Sequence, residues 1–210
     1  MVDKIIFDNV SLAFAENKIF ENIFLEFDSK KIIVITGSNG SGKSTLLKLA
    51  GQFIHPDSGK ITAFNDVNDK INNIDFRYKI AAVSPSINFY SEMTAVENIN
   101  FFVGLRNIRL NNLQIDNLCE RVGLDLSCEN KYVGNFSTGM IQRLKLAVLL
   151  AVNADVLLFD EPCSNLDEEG KKIFFTEIKQ AAKIGKLILM ATNDEEEVKI
   201  GDEIINLPLI

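Results

Sequence analysis

The spacing of apolar residues changes along the chain, and these changes predict its secondary structure. About the first 35 residues contain three runs rich in Ile, Val and Phe: KIIFDNVSLAF, KIFENIFLEF and KIIVIT. Runs of β-branched and aromatic residues between short polar segments predict strands. From TLLKLAGQF (45–53) the spacing becomes helical, so the third strand leads directly into a helix.

The middle of the chain predicts a loop, one strand and then helices. Residues 65–75, NDVNDKINNID, are rich in Asn and Asp and predict a surface loop. KIAAVS (79–84) predicts a buried strand, and residues from about 86 to 152 are predicted to be mostly helical. Thr94 and Glu97 have the spacing of a capping box. A largely apolar helix is predicted from Ser137 onward.

Strands and helices alternate in the last third of the chain. ADVLLFDE and KLILMAT predict core strands, with a helix near 168–183 between them. This alternation predicts an α/β fold with a mainly parallel sheet covered on both faces. We expect a single domain over 1–210, with an N-terminal antiparallel β subdomain. Its core lobe would comprise about 1–85 and 151–210, and an inserted helical subdomain about 86–150.

Composition narrows the functional classes. The chain has 210 residues, of which 47% are hydrophobic, and a formal net charge of −7, so no nucleic-acid partner is expected. Three cysteines without metal-site spacing favour a reducing compartment. No leader of the signal-peptide type opens the sequence, and its apolar runs are shorter than a membrane span requires. If the protein works at a membrane, we expect another chain to supply the span.

A phosphate-binding motif follows the third strand. GSNGSGKST (37–45) satisfies GxxxxGK(S/T) between a predicted strand and a predicted helix, which makes the fold a P-loop NTPase core. Its glycines let backbone N–H groups turn inward toward a polyanion. Lys43 would add positive charge at the terminal phosphates, and the Ser44 hydroxyl would bind Mg²⁺. The candidate nucleotide-binding residues of this loop are Ser38, Asn39, Gly40, Ser41, Gly42, Lys43, Ser44 and Thr45.

Two adjacent carboxylates end the strand VLLFDE. In a parallel sheet the carboxyl ends of the strands form the ligand-binding edge, so Asp160 and Glu161 are predicted to face the same phosphates. Asp160 would hold Mg²⁺, directly or through water. Glu161 would orient and deprotonate an attacking water.

These motifs together resemble the ATP-binding-cassette (ABC) family over nearly the whole chain. VLLFDE resembles the Walker B motif, SNLD (164–167) the D-loop, and FSTGMIQR (136–143) the signature usually written LSGGQ. The resemblance implies that ATP and Mg²⁺ are bound in a head-to-tail homodimer. It also implies that Ser137 and Gly139 touch the γ-phosphate held on the second copy, and that Phe14 stacks on adenine.

Two positions depart from the family pattern. Pro85 stands where the family has the Q-loop glutamine, and its side chain cannot bind Mg²⁺ or water. Asn193 stands where the switch histidine is expected; it donates hydrogen bonds but cannot carry a proton. We therefore expect Asn193 to keep a catalytic γ-phosphate contact and the protein to hydrolyse ATP slowly.

The resemblance implies an ATP-binding subunit that powers separate integral membrane permease subunits. The protein would be cytoplasmic, held at the inner face of the cell membrane by that partner. Two alternatives remain open from the sequence. One is a soluble ABC ATPase of an assembly or repair system, and the other is an ATP-gated module with little turnover.

Overall fold

The computed structural model describes residues 1–125 and 131–209. Within those residues the elements follow the alternation of strand and helix that the sequence predicts. The strands are β1 (Val2–Phe14), β2 (Asn17–Asp28), β3 (Ile32–Gly37), β4 (Ser58–Asn65), β5 (Lys70–Ile71), β6 (Ile80–Val83), β7 (Val156–Asp160), β8 (Leu187–Ala191) and β9 (Glu203–Leu207). The helices are α1 (Lys43–Ala50), α2 (Asn73–Tyr78), α3 (Ala95–Gly104), α4 (Asn112–Arg121), α5 (Thr138–Val152), α6 (Glu168–Lys183) and α7 (Glu195–Lys199).

The first sheet is antiparallel and has the order β2-β1-β4-β5. Strand β1 pairs with β2 on one side and with β4 on the other, and both pairs contain register shifts. One face of β1 and β2 joins the hydrophobic core, where the rings of Phe7 and Phe27 meet edge to face with centroids 5.3 Å apart. Such aromatic contacts add specific geometry to the burial of apolar area.

The second sheet has the order β6-β7-β8-β3-β9. The pairs β7-β8, β8-β3 and β3-β9 are parallel. All five residues of β8 are buried, and the first four residues of both β3 and β7 are buried. Strands without polar alternation are typical of parallel sheets covered on both faces. The predicted α/β fold class, with its mainly parallel sheet and its antiparallel β part, is confirmed.

The chain divides into two compact units. The first comprises Met1–Ala82, Asp155–Glu161 and Ile178–Ile210, and contains both sheets. The second, the helical unit, comprises Val83–Ala154 and Pro162–Glu177. The segment 162–177, which the sequence places in the core lobe, clusters with the helical unit. Side chains of α4 and α5 hold it there through hydrogen bonds to its backbone and carboxylates.

The predicted surface loop at 65–75 is wrong in its second half. Residues 70–71 pair with β4, and α2 begins at Asn73. The Asn72 side chain accepts a hydrogen bond from Asp75 N at 2.9 Å and caps this helix, while Asn65 accepts from the backbone of Asp69 at 2.7 Å. Asn and Asp therefore serve as a cap and a turn within short elements.

Another local prediction is confirmed. Thr94 and Glu97 form the reciprocal capping box at the start of α3, with hydrogen bonds of 2.8 and 3.2 Å. Over residues 1–125 and 131–209, every helix is too short or too polar to cross a bilayer.

Candidate functional site

The phosphate loop joins β3 to α1. Within it, the backbone N–H of Ser41 donates to the carbonyl oxygen of Ser38 at 3.1 Å. Gly42 caps α1 with a φ of 100°, a left-handed conformation that glycine adopts without steric cost. A Cβ at this position would lie 2.9 Å from Ile19 and 3.1 Å from Phe20. Gly42 therefore permits both the turn and the close approach of β2.

Lys43 is the first residue of α1 and is 7% exposed. Its ammonium donates to the carbonyl oxygens of Gly37 at 2.7 Å and Ser38 at 3.2 Å. The ammonium thus lies inside the curve of the loop, among oxygens and peptide groups of the same segment. This is the position from which a lysine reaches the phosphates of a nucleotide.

Asn193 lies against the same loop. In one orientation of its amide, Nδ2 donates to Asn39 Oδ1 at 3.1 Å. In the other, Oδ1 accepts from Lys43 Nζ at 3.2 Å while Nδ2 donates to the carbonyl oxygens of Gly37 at 2.6 Å and Thr192 at 3.1 Å. The second orientation satisfies both ends of the amide, so we assign it. Asn193 therefore contacts the lysine and the loop that the sequence predicts to bind phosphate.

The backbone before Asn193 fixes this contact. The N–H of Thr192 donates to the carbonyl oxygen of Ile35 in β3 at 3.0 Å. The Thr192 hydroxyl accepts from the N–H of Asp194 at 2.9 Å. Thr192 is buried, so both hydrogen bonds are protected from water. Thr192 could not be predicted as a site residue from the sequence, because a Thr after an apolar strand has no distinctive spacing.

Asp160 and Glu161 lie at the carboxyl end of β7, at the same edge of the sheet as Gly37. Asp160 pairs with Ala191 of β8, and the N–H of Glu161 donates to the carbonyl oxygen of Ala191 at 2.9 Å. Glu161 has a φ of 49°, a left-handed conformation that is uncommon for a residue other than glycine. Strain of this kind concentrates at functional sites and costs on the order of 1–3 kcal/mol.

Ser137 and Gly139 lie at the start of α5, in the helical unit. The Ser137 side chain accepts from the N–H of Met140 at 3.3 Å and caps the helix, while Phe136 before it is buried. A Cβ at Gly139 would lie 3.1 Å from the carbonyl oxygen of Asn165. Glycine at 139 therefore allows the D-loop to approach the tip of the helix closely.

Gln142 and Arg143 connect α5 to the D-loop, although neither residue was predicted from the sequence to belong to the site. Gln142 Nε2 donates to the carbonyl oxygens of Pro162 at 3.1 Å and Ser164 at 3.3 Å. Arg143 donates to Asp167 Oδ1 at 2.7 Å. The pKa of Asp167 is lowered, first by the hydrogen bond from the Gly170 N–H and then by that from Arg143. Together these contacts set the path of the chain after Glu161.

Phe14 ends β1 at the turn into β2. It is 52% exposed, so this aromatic ring is available at the surface and not part of the core. Phe14 pairs with Asn17, and the returning strand carries Ile19 and Phe20, which pack beside Gly42. The hairpin therefore lies next to the phosphate loop in the same unit.

The segment at Pro85 is a β-turn. The carbonyl oxygen of Ser84 accepts from the N–H of Ile87 at 3.2 Å, with proline at the second position, where its fixed φ suits such turns. The hydroxyl groups of Ser84 and Ser86 are 2.8 Å apart. Pro85 itself is exposed.

Comparison with known proteins identifies the family of this chain. The sequence profile described as ABC transporter matches residues 20–164, which include the phosphate loop, both carboxylates and the start of α5. The chain belongs to the ABC transporter family. The resemblance indicated by the motifs is thereby confirmed.

Two relatives and one solved structure illustrate the similarity to this ABC chain. The ABC transporter ATP-binding protein NatA of Bacillus subtilis is 31% identical over 186 residues, covering 87% of this chain and 74% of NatA. The energy-coupling factor transporter ATP-binding protein EcfA1 of Mycoplasmoides gallisepticum is 32% identical over 205 residues, covering 95% and 72%. An ATP-binding cassette solved as a dimer with ADP and phosphate superposes with a TM-score of 0.83 at 24% identity, covering 97% of this chain and 94% of that one. This last likeness establishes the shared ABC fold.

Proposed function

We propose that this chain is the ATP-binding subunit of an ABC transporter. It binds and hydrolyses ATP with Mg²⁺ and closes head-to-tail with a second copy, and this cycle powers integral membrane permease subunits. The observation that carries the proposal is the contact among Lys43, Asn193 and the backbone of the phosphate loop, at the sheet edge that also carries Asp160 and Glu161.

The loop fits a polyphosphate. Gly42 brings no side chain to cap α1, which leaves the first N–H groups of the helix as donors for an anion. The Ser41 hydroxyl is buried and its oxygen has no hydrogen-bond partner among the described residues. A buried polar atom of this kind is normally satisfied by a ligand or by water. Together with the ammonium of Lys43, these groups support ATP as the substrate.

The donor set also fits Mg²⁺. This ion takes oxygen ligands and keeps several waters, so it needs only one or two protein side chains beside the phosphates. Ser44 and Asp160 supply a hydroxyl and a carboxylate oxygen from α1 and β7. The described residues contain no cluster of three or more His, Cys, Asp or Glu, which is compatible with such a sparse site. When bound, Mg²⁺ would offset negative charge on the phosphates.

Glu161 and Asn193 have different chemical tasks in this proposal. Glu161 accepts a proton from the attacking water, a role that contributes about 10²- to 10⁴-fold in rate. Asn193 holds Lys43 before the nucleotide binds and donates its amide N–H to the γ-phosphate afterwards. Because an amide cannot take up a proton, turnover should be slow but measurable.

A second copy would complete the phosphate site. Ser137 and Gly139 are exposed or half-buried at the tip of α5, where helix N–H groups suit an anion. We propose that this tip meets the γ-phosphate on the partner copy, so that ATP joins the two chains. Phe14 would stack on adenine from the hairpin beside Gly42.

The helical unit supplies a candidate docking surface for the membrane partner. Phe101, 37% exposed, and Tyr90, 49% exposed, meet edge to face with centroids 4.9 Å apart, and Leu105 nearby in sequence is 64% exposed. Exposed aromatic and aliphatic groups of this kind mark interaction surfaces. The permease would hold the protein at the inner face of the cell membrane.

One alternative function is favoured by a specific observation. Asn193 and Pro85 lack the proton-carrying and metal-binding side chains expected at their positions, so an ATP-gated module with little turnover remains consistent with the site. Steady-state phosphate release from the purified chain separates the two functions, since the module would bind ATP without sustained release.

The transport function is tested by gentle purification from native membranes. We expect an integral membrane protein to copurify with the wild-type chain. Replacing Tyr90 and Phe101 by Ser should reduce its recovery without changing ATP binding, while Leu113→Ser, an exposed change on α4, should leave recovery intact. Recovery of the chain only as a soluble particle would contradict the proposal.

A further inference from the structure

Lys145 lies in the middle of α5 and is almost completely buried. It is 6% exposed, and its neighbours Leu144, Leu146 and Ala147 are buried as well. Its ammonium donates to the carbonyl oxygen of Ser84 at 2.9 Å. A buried ammonium is costly unless it is well paired, and an apolar side chain of similar length would fill the same space at lower cost. Stability alone therefore does not account for a lysine here.

The carbonyl oxygen that Lys145 contacts belongs to the turn at Pro85. Ser84 is the second residue of the helical unit, directly after β6, and its carbonyl oxygen also closes the turn by accepting from Ile87 N. Lys145 thus joins the segment where the chain enters this unit to α5, whose N-cap, Ser137, lies about two turns before Lys145. This contact crosses 61 residues of sequence.

We propose that Lys145 is a positioning residue for the ATPase, fixing the 84–87 turn to α5 and thereby fixing the tip that carries Ser137. The inference rests on the proposed function, because the tip matters only where it meets a nucleotide on a second copy. The link acts through backbone position, since the contacted group is a carbonyl oxygen and not a side chain. Pro85 restricts the backbone of the 84–87 turn, whose Ser84 carbonyl oxygen accepts the hydrogen bond from Lys145.

The test uses the full chain in a Glu161→Gln background, in which bound ATP persists. Dimerisation with ATP and Mg²⁺ is measured by light scattering over a range of protein concentrations, and ATP affinity is measured on dilute chain. Lys145→Met keeps the aliphatic stem but removes the donor. We expect it to raise the concentration for half-dimerisation about ten-fold, the effect of losing one charge-assisted hydrogen bond, with ATP affinity unchanged.

Two further variants distinguish positioning from a structural role. Lys145→Arg keeps a cationic donor and should restore dimerisation to within about three-fold of the parent, a difference under about 1 kcal/mol. Lys172→Met, an exposed lysine on α6, is the matched control and should behave like the parent. The melting temperature of Lys145→Met should equal or exceed that of the parent.

Each of the remaining outcomes would overturn either this inference or the proposed homodimer. Unchanged dimerisation in Lys145→Met would overturn the inference while leaving the proposed function intact. A lower melting temperature together with weaker dimerisation would also overturn it, because Lys145 would then only stabilise the fold. Failure of the Glu161→Gln parent itself to dimerise with ATP would refute the homodimer in the proposed function.

Discussion

Asn193 and Pro85 are the two positions where the sequence departs from the expected family pattern, and their surroundings differ. Asn193 belongs to a network with Lys43 and the carbonyl oxygen of Gly37. Pro85 is exposed, and the residue before it is held by Lys145 through a carbonyl oxygen. At 193 the side chain contacts the phosphate loop and its lysine. At 85 the backbone of the turn makes the contact, through the carbonyl oxygen of Ser84.

Whether a missing functional side chain can be replaced depends on the chemistry that its position requires. An amide can substitute for a histidine wherever only a hydrogen bond is required. No proline side chain can substitute for glutamine, so the function at 85 is either lost or moved to the backbone. The two positions should therefore respond differently to restoration of the family residue: a histidine at 193 should add a pH dependence, and a glutamine at 85 should change turnover little.

The largest expected effect on turnover comes from Glu161→Gln, and the effects of the other variants are compared with it. Removing the general base should lower turnover by about 100- to 10,000-fold, while ATP binding is retained because the phosphate loop is unchanged. Phosphate release under saturating ATP measures it, with Glu169→Gln, an exposed acid on α6, as the control. If wild-type turnover is no faster than that of Glu161→Gln, the departures at 85 and 193 have already abolished catalysis.

Asn193→Ala should lower turnover by about 10- to 100-fold, because a hydrogen bond to a charged phosphate group is worth a few kcal/mol. Asn193→His should introduce a pH dependence near the histidine pKa of about 6.5 that the wild-type chain does not show at this position. The measurement is kcat against pH for the three chains, with Asn100→Ala on α3 as control. Equal turnover in the Asn193→Ala and wild-type chains would remove Asn193 from the site.

Pro85→Gln should change turnover by less than about three-fold, since the Lys145 contact is made by the backbone of Ser84 and survives. The free energy of unfolding should fall by about 0.4–1 kcal/mol, because proline restricts the unfolded chain at a turn position that suits it. Phosphate release and urea unfolding measure the two effects. A large gain in turnover would show that position 85 lacks a side chain that the chemistry needs.

Lys145 should affect the free energy of unfolding and its pH dependence, without a direct effect on the chemical step. Burial lowers the pKa of its ammonium below 10.5, so the unfolded chain binds the proton more tightly than the folded chain. The cost of this charge is complete below the folded-state pKa and declines as pH rises toward 10.5. Lys145→Met should therefore be more stable than wild type by zero to about 2 kcal/mol at neutral pH. Urea unfolding should show that this gap narrows as pH increases, whereas a gap that widens would contradict the assigned environment.

The sequence predicted local structure best where a short motif permits only one backbone structure. The phosphate loop, the strand before Asp160 and the capping box at Thr94 all follow from local spacing, because the backbone geometry there admits few alternatives. The loop prediction failed over residues 70–75 because Asn and Asp favour caps as well as loops, and spacing does not separate these uses.

Contacts between distant segments could not be predicted. Lys145 in an apolar helix has no local signal that points to Ser84, and the amide of Asn193 is not assigned to Lys43 by any motif. Gln142 and Arg143 likewise reach a segment some 20 residues away in sequence. Such contacts depend on tertiary packing, which brings polar groups together without a sequence period.

We propose that two copies close over ATP and that the tip of α5 in each copy completes the phosphate site of the other. The most direct test is a structure of the Glu161→Gln chain with ATP and Mg²⁺. We expect a head-to-tail dimer in which Ser137 Oγ and the N–H of Gly139 lie within hydrogen-bond distance of the γ-phosphate bound to Lys43 of the other copy. A monomer, or a dimer with Ser137 and Gly139 turned away from both triphosphates, would contradict it.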